Sequence, residues 1–207
     1  MTTSNERFQT QLAFGKIAEQ QIIMWLRRRC GYAVLPVYEL EMSTGKGPQL
    51  FFPDSECVAP DVLAIRGEDT KWIEAKRKTV FTWHRYSRAW TTGIDRRHFR
   101  EYQRIAEQTP FPVYLLFLHE SSRPSQNDRD HNCPDECPSG LFGDDLALLV
   151  ERVNHESDEW GSNGMVYWRH DDLPQIATLE EVQSVFSAFL KERRDKFAGQ
   201  PMPGFED

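Results

Sequence analysis

The chain has 207 residues, 39% of them apolar with six Trp and thirteen Phe, enough for the core of one domain or one domain with an appendage. No run approaches the roughly 20 apolar residues of a membrane span. The opening MTTSNERFQTQLAFGK lacks a secretory signal and four scattered cysteines make no disulfide scaffold, so the expectation is a cytoplasmic protein with no membrane partner. A net charge of -7 argues against a generic nucleic-acid binder, but residues 1–110 hold 17 Lys/Arg against 13 Asp/Glu, while residues 111–207 hold 8 against 19. The basic excess of the first half can hold a phosphate backbone locally despite an acidic total.

Apolar residues at three- and four-residue steps predict a helix over Phe8–Arg29, closed by Gly31. Tyr32–Leu40 reads as a strand. Ser43–Pro48 is rich in Gly and could carry Lys46 toward a ligand, or it is plain turn chemistry. Two strands follow, Asp61–Arg66 and Thr70–Lys76, around a short turn. In the second, Glu74 and Lys76 project to one side and Ala75 to the other. A two-residue loop at Gly67-Glu68 sets Asp61 directly opposite Glu74, whereas a four-residue loop sets it opposite Lys76 on the same face. Two facing carboxylates repel unless a cation lies between them, and a divalent metal with Lys76 at its edge meets that demand.

Val80–Trp90 interleaves aromatic and basic residues, as a base-stacking and phosphate-gripping surface would, or as core packing would. Asp95 is placed to cap a helix running to Gln108, Pro110 stops it, and Pro112–His119 is a buried strand. Residues 121–145 form a polar connection long enough to be either functional or disordered. Within it His131, Cys133 and Cys137 could ligate zinc, although no fourth ligand adjoins them, and free thiols on a surface loop are the favoured reading. Leu146–Val153 and Gly164–Trp168 read as two strands extending the sheet, Leu179–Phe197 as a closing helix, and 199–207 as a loose tail.

Pro60-Asp61 followed by Glu74-Ala75-Lys76 resembles the PD-(D/E)xK nuclease superfamily, and the order helix, strand, strand, strand, helix, strand matches its restriction-endonuclease-like αβββαβ core. The resemblance implies an α/β fold with a mixed central sheet flanked by helices, the nuclease core spanning 1–120 and residues 146–198 completing the same domain. It further implies a DNA phosphodiesterase using Mg²⁺ or Mn²⁺, held by Asp61, Glu74, the Ala75 carbonyl and Glu19, with Lys76 as a catalytic cation. On the first helix Glu19 lies beside Gly15 and Lys16, and the glycine favours close approach to the sheet. His98 and Tyr102 resemble the Gln-x-x-x-Tyr motif of the phage-type and RecB-type exonuclease branch, with His98 in place of the glutamine. Arg77, Lys78, His84, Arg85, Arg88, His98 and Tyr102 are the expected DNA contacts. Endonuclease and exonuclease action, and monomer and dimer, all stay open. So do two rivals: a non-catalytic nucleic-acid-binding module on the same fold, and a protein-interaction module whose acidic C-terminal half mimics DNA.

Overall fold

A computed structural model describes residues 17–37, 48–161 and 163–196. The segments 8–16, 38–47 and 197–207, with Leu12, Gly15, Lys16 and Lys46, lie outside the described residues.

Six strands form the central sheet, in the order β1 (Ala33–Pro36), β4 (Val62–Arg66), β5 (Asp69–Lys78), β8 (Val113–His119), β9 (Gly140–Asp145) and β12 (Gln175–Ala177). All neighbours are antiparallel except β5 and β8, which run parallel and are joined through the helix α2 (Arg96–Gln108). A parallel pair requires such a crossover. With the first helix, α1 (residues 17–28), ahead of β1, the expected αβββαβ order is present. It carries two insertions. One is a hairpin of β2 (Gln49–Phe52) and β3 (Ser55–Val58); the other holds β6 (Thr82–His84) and β7 (Ala89–Asp95).

Strand alternation divides the core between the two faces of the sheet. On one face Val62, Ala64, Ile73, Leu116, Leu118 and Leu141 pack with Ile22, Ile23 and Leu26 of α1 and with Val182 and Val185 of α5 (Leu179–Lys196). On the other, Trp72, Val113, Leu115, Phe117 and Phe142 pack with Phe99, Tyr102 and Ile105 of α2. The side chain of Asp95 caps α2 by accepting from Arg97 N at 2.8 Å, and Gly31 ends α1 in the left-handed region at φ +73°.

The C-terminal half departs from the expected pattern. Leu146–Val153 is not a strand: Leu146–Glu151 is a helix, α4, capped by Asp145, with Leu146 and Leu149 buried one turn apart and Leu148 and Val150 exposed. A short apolar run fits either period, and the cap decides it. Gly164–Trp168 does give a strand, β11 (Met165–Arg169), but it does not extend the central sheet. It joins a second sheet, ordered β10 (His155–Ser157), β11, β7, β6, which lies over the α2 face. The central sheet is extended instead by β9 and β12. Gly93 makes the β7–β11 contact feasible, since a Cβ there would sit 2.4 Å from the Val166 carbonyl oxygen and 2.8 Å from the Tyr167 ring.

The polar connection is folded. Ser125 caps a short helix, α3 (Gln126–Asp130), and buried Asp128 accepts from Trp83 N at 3.0 Å and from Ser125 Oγ at 2.6 Å, tying the segment to β6.

Candidate active site

The β4–β5 hairpin builds the site. Its ladder runs from Arg66↔Asp69 to Val62↔Ile73, so the loop is the two residues Gly67 and Glu68, with Gly67 at φ +61°. Asp69 fixes the turn by accepting from the Tyr32 hydroxyl and pairing with Arg66 and Lys71, each at 2.9 Å; these contacts hold its pKa down to about 2. One step past the other end of the ladder stand Asp61 and Glu74. The Asp61 backbone stays tied to the chain after β1, its carbonyl accepting from Val37 N at 2.8 Å. Its side chain crosses to β5, where Oδ2 accepts from Ala75 N at 2.8 Å.

Glu74 is 1% exposed, its Oε1 in a direct ion pair with Lys76 Nζ. The Tyr102 hydroxyl interacts with the same carboxylate from α2, and Glu74 Oε2 is buried with no hydrogen-bond partner of standard geometry. Burial and the Glu74 charge, with a smaller push from Glu19, raise the Asp61 carboxyl well above the usual range, against the opposing pull of Lys76 and the Ala75 amide. Burial disfavours the Lys76 ammonium, but the charges of Glu74, Asp61 and Glu19 outweigh it and hold the group cationic. Burial followed by the charges of Glu74 and Asp61 pushes Tyr102 well up, so its proton is retained. His98 stacks near Tyr102, with ring centroids 5.9 Å apart, and burial with the Lys76 charge lowers its pKa.

This donor set suits a hard divalent cation. It offers carboxylate oxygen, one atom of which is buried without a partner, and burial with the neighbouring Glu74 charge raises Asp61. Among the described residues no three His, Cys, Asp or Glu side chains gather as a ready-made cage. Two carboxylates with other positions left to water and phosphate is the arrangement Mg²⁺ usually accepts.

The expected DNA contacts scatter. Lys78 continues the Glu74–Lys76 face; burial and the Lys76 charge lower its pKa to about 8, and it forms no ion pair with a carboxylate among the described residues. Arg77 points to the other face and pairs with Glu120 at 2.5 Å. Arg85 and Arg88 are exposed at the β6–β7 turn, Arg88 with φ +47°. His84 stacks on His155 at 3.9 Å, and His155 on Tyr167 at 4.5 Å. Sequence reading missed the latter two because they lie about seventy residues further along the chain. His131, Cys133 and Cys137 do not converge. His131 Nδ1 is engaged with Asn127 O at 2.7 Å, Cys137 Sγ faces Ser121 O at 3.5 Å, and all four cysteines are free.

No protein-family model matches the sequence, and no curated protein is significantly similar to it. Among solved structures the chain is similar to Hjc, a Holliday junction resolvase from the archaeal hyperthermophile Archaeoglobus fulgidus, with 11% identity and a TM-score of 0.43 over 76% of this chain and 90% of that one. It is also similar to D212, a nuclease from a fusselovirus, with 11% identity and a TM-score of 0.36 over 93% and 98% of the two chains. At those scores the geometry of the site has to carry any functional reading.

Proposed function

We propose that the chain is a metal-dependent deoxyribonuclease of the cytoplasm, hydrolysing DNA phosphodiester bonds with Mg²⁺ or Mn²⁺. The observation that carries this reading is the hairpin register, which brings Asp61, Glu74 and Lys76 to one face and leaves a buried carboxylate oxygen of Glu74 unsatisfied. Asp61 and Glu74 would hold the ion, with the Ala75 carbonyl and Glu19 assigned by the family resemblance. A divalent ion bound there supplies Lewis-acid polarisation of the phosphoryl group and a more acidic water.

The rest is done by the chain's own groups. Lys76, kept protonated by three carboxylates, presents N–H donors to the water that attacks and to the oxygens where charge builds up. Asp61 is fixed in orientation by the Ala75 amide, so its carboxylate is aimed without first reorganising. Tyr102 braces Glu74 while keeping its proton, and neutral His98 beside it can contact the adjoining nucleotide. Lys78, a cation with no carboxylate partner, is placed to receive the next phosphate.

The test incubates linear, closed-circular, nicked and branched DNA with the protein in Mg²⁺, Mn²⁺ or EDTA. Cleavage should require the metal and fall by about 10²–10³-fold in Lys76→Ala, the typical cost of losing one transition-state donor. Cutting of closed circles would assign endonuclease action. A wild-type protein that binds DNA and cuts none of these forms under any divalent ion would overturn the proposal.

A further inference from the structure

The outward face of α2 carries a basic feature that the reaction centre does not use. Arg97, Arg100 and Arg104 recur at three- and four-residue steps, on the side of the helix away from buried Phe99, Tyr102 and Ile105. With Arg96, Glu101 and Asn163 they line a groove of about 430 Å³. Two of the four arginines are committed internally. Arg96 pairs with Glu156 at 2.7 Å and Asp158 at 2.6 Å, and Arg97 with Glu101 at 2.9 Å. Arg100 and Arg104 are exposed and make no ion pair among the described residues. The Arg96 bridges also hold Glu156 and Asp158 against the helix, and Trp160, two residues beyond, is 65% exposed.

Two uncommitted guanidinium groups one turn apart on a rigid helix repel each other, and a chain of net charge -7 has no shortage of carboxylates to pair with them. A bound polyanion would relieve that repulsion, and the planar fork of arginine suits phosphate oxygens. The groove also adjoins the reaction centre. Arg97 precedes His98 in the first turn of α2, so the two sites meet around the N-terminal end of the helix. A nucleic acid touching both must turn around a body on the order of 10 Å across. A single strand makes that turn within a few nucleotides, whereas duplex DNA stays stiff over roughly 150 base pairs.

We propose that this groove binds single-stranded DNA next to the scissile position, with Arg100 and Arg104 on successive phosphates and Trp160 stacking on an unpaired base. The proposal rests on the nuclease reading and names the form of substrate that site would take. The experiment measures anisotropy of labelled single-stranded and duplex oligonucleotides in EDTA across a KCl series, for wild type, Arg100→Ala/Arg104→Ala and Trp160→Ala. In parallel it measures Mg²⁺-dependent hydrolysis of thymidine 5′-p-nitrophenyl phosphate, which is too small to reach the groove. The double variant should lower the single-strand salt slope by about 1.4, at roughly 0.7 per phosphate contact. Trp160→Ala should weaken single-strand binding by about tenfold, and both variants should hydrolyse the small ester like wild type. An unchanged salt slope, or equal affinity for duplex and single strand, overturns the groove proposal and leaves the nuclease reading standing. Loss of slope in a protein whose wild type never hydrolyses the ester or DNA keeps the groove and removes the nuclease reading.

Discussion

His119 gives the sharpest thermodynamic test of the structure. It ends β8 beside Lys78, is 0% exposed, and lies face to face with Phe81 at 3.5 Å and 5° between planes. Neither ring nitrogen makes a directed hydrogen bond, although the Val80 backbone is close. Burial, then the Lys78 charge and His170, lower its pKa to about 3. The folded pKa is therefore below the unfolded value of about 6.5, and the unfolded chain takes up the proton first. Stability from this residue is complete above pH 6.5 and is lost as pH falls toward 3. At pH 4.5 the loss is two pH units at about 1.36 kcal/mol each, or roughly 2.7 kcal/mol. His119→Phe keeps the stacking surface and removes the titration; His119→Leu repeats the test without a ring. Urea denaturation of all three proteins at pH 7.5 and 4.5 isolates the effect, because the remaining groups titrate alike. The stability of each variant relative to wild type should shift by about 2–3 kcal/mol in the variant's favour at the lower pH. A gap that stays constant to within about 0.5 kcal/mol would refute the assignment of a buried, neutral, unbonded imidazole.

Asp61→Asn keeps an acceptor for the Ala75 amide while removing a carboxylate whose ionisation the fold opposes. In EDTA at neutral pH it should be more stable than wild type, with no activity; calorimetry should show Mg²⁺ raising the melting temperature of wild type alone. Lys78 has its pKa lowered to about 8, so wild-type stability should climb between pH 8 and 10.5 as the ammonium is lost. Lys78→Met should abolish that climb, worth about 1–3 kcal/mol once its partial exposure is allowed for, as read from urea melts at pH 7.5 and 10. Gly93→Ala would press a methyl against the Val166 carbonyl at 2.4 Å and should cost about 2–3 kcal/mol or more, visible as a lowered thermal midpoint.

The geometry of the candidate site could be read from the chain because it is local. Both loop lengths open to the sequence put Asp61 on the face of Glu74 and Lys76, and the ladder takes the two-residue loop Gly67-Glu68, which sets Asp61 opposite Glu74. Asp95 and the helical period likewise fixed which way His98 and Tyr102 face. Glu19 was harder, since its position depends on a helix docking from elsewhere, yet its charge is felt at both Asp61 and Lys76. The second sheet could not be read at all: β7 pairs with β11 across some seventy residues, and no local pattern in Met165–Arg169 says which neighbour it takes. Leu146–Glu151 misled because six mostly apolar residues satisfy either period. The possible zinc ligands His131, Cys133 and Cys137 do not gather as a set of three, and Asp128 organises their segment, in keeping with the favoured reading of free thiols.

The β4–β5 ladder stops at Val62↔Ile73, whereas β5 stays bonded to β8 as far as Lys78↔His119. The two strands thus part like a fork, with Asp61 on one tine and Glu74, Lys76 and Lys78 on the other. Among the described residues only the Asp61–Ala75 hydrogen bond spans the gap just beyond the crotch. Any ligand wedged between the tines becomes a rivet joining two halves of the sheet, so occupancy should slow amide hydrogen exchange at Ala75 and along the β5 residues beyond it. Sliding of β4 against β5 would, in turn, set the spacing of the two acids, and the rigidity of this one hairpin governs how well the centre is tuned.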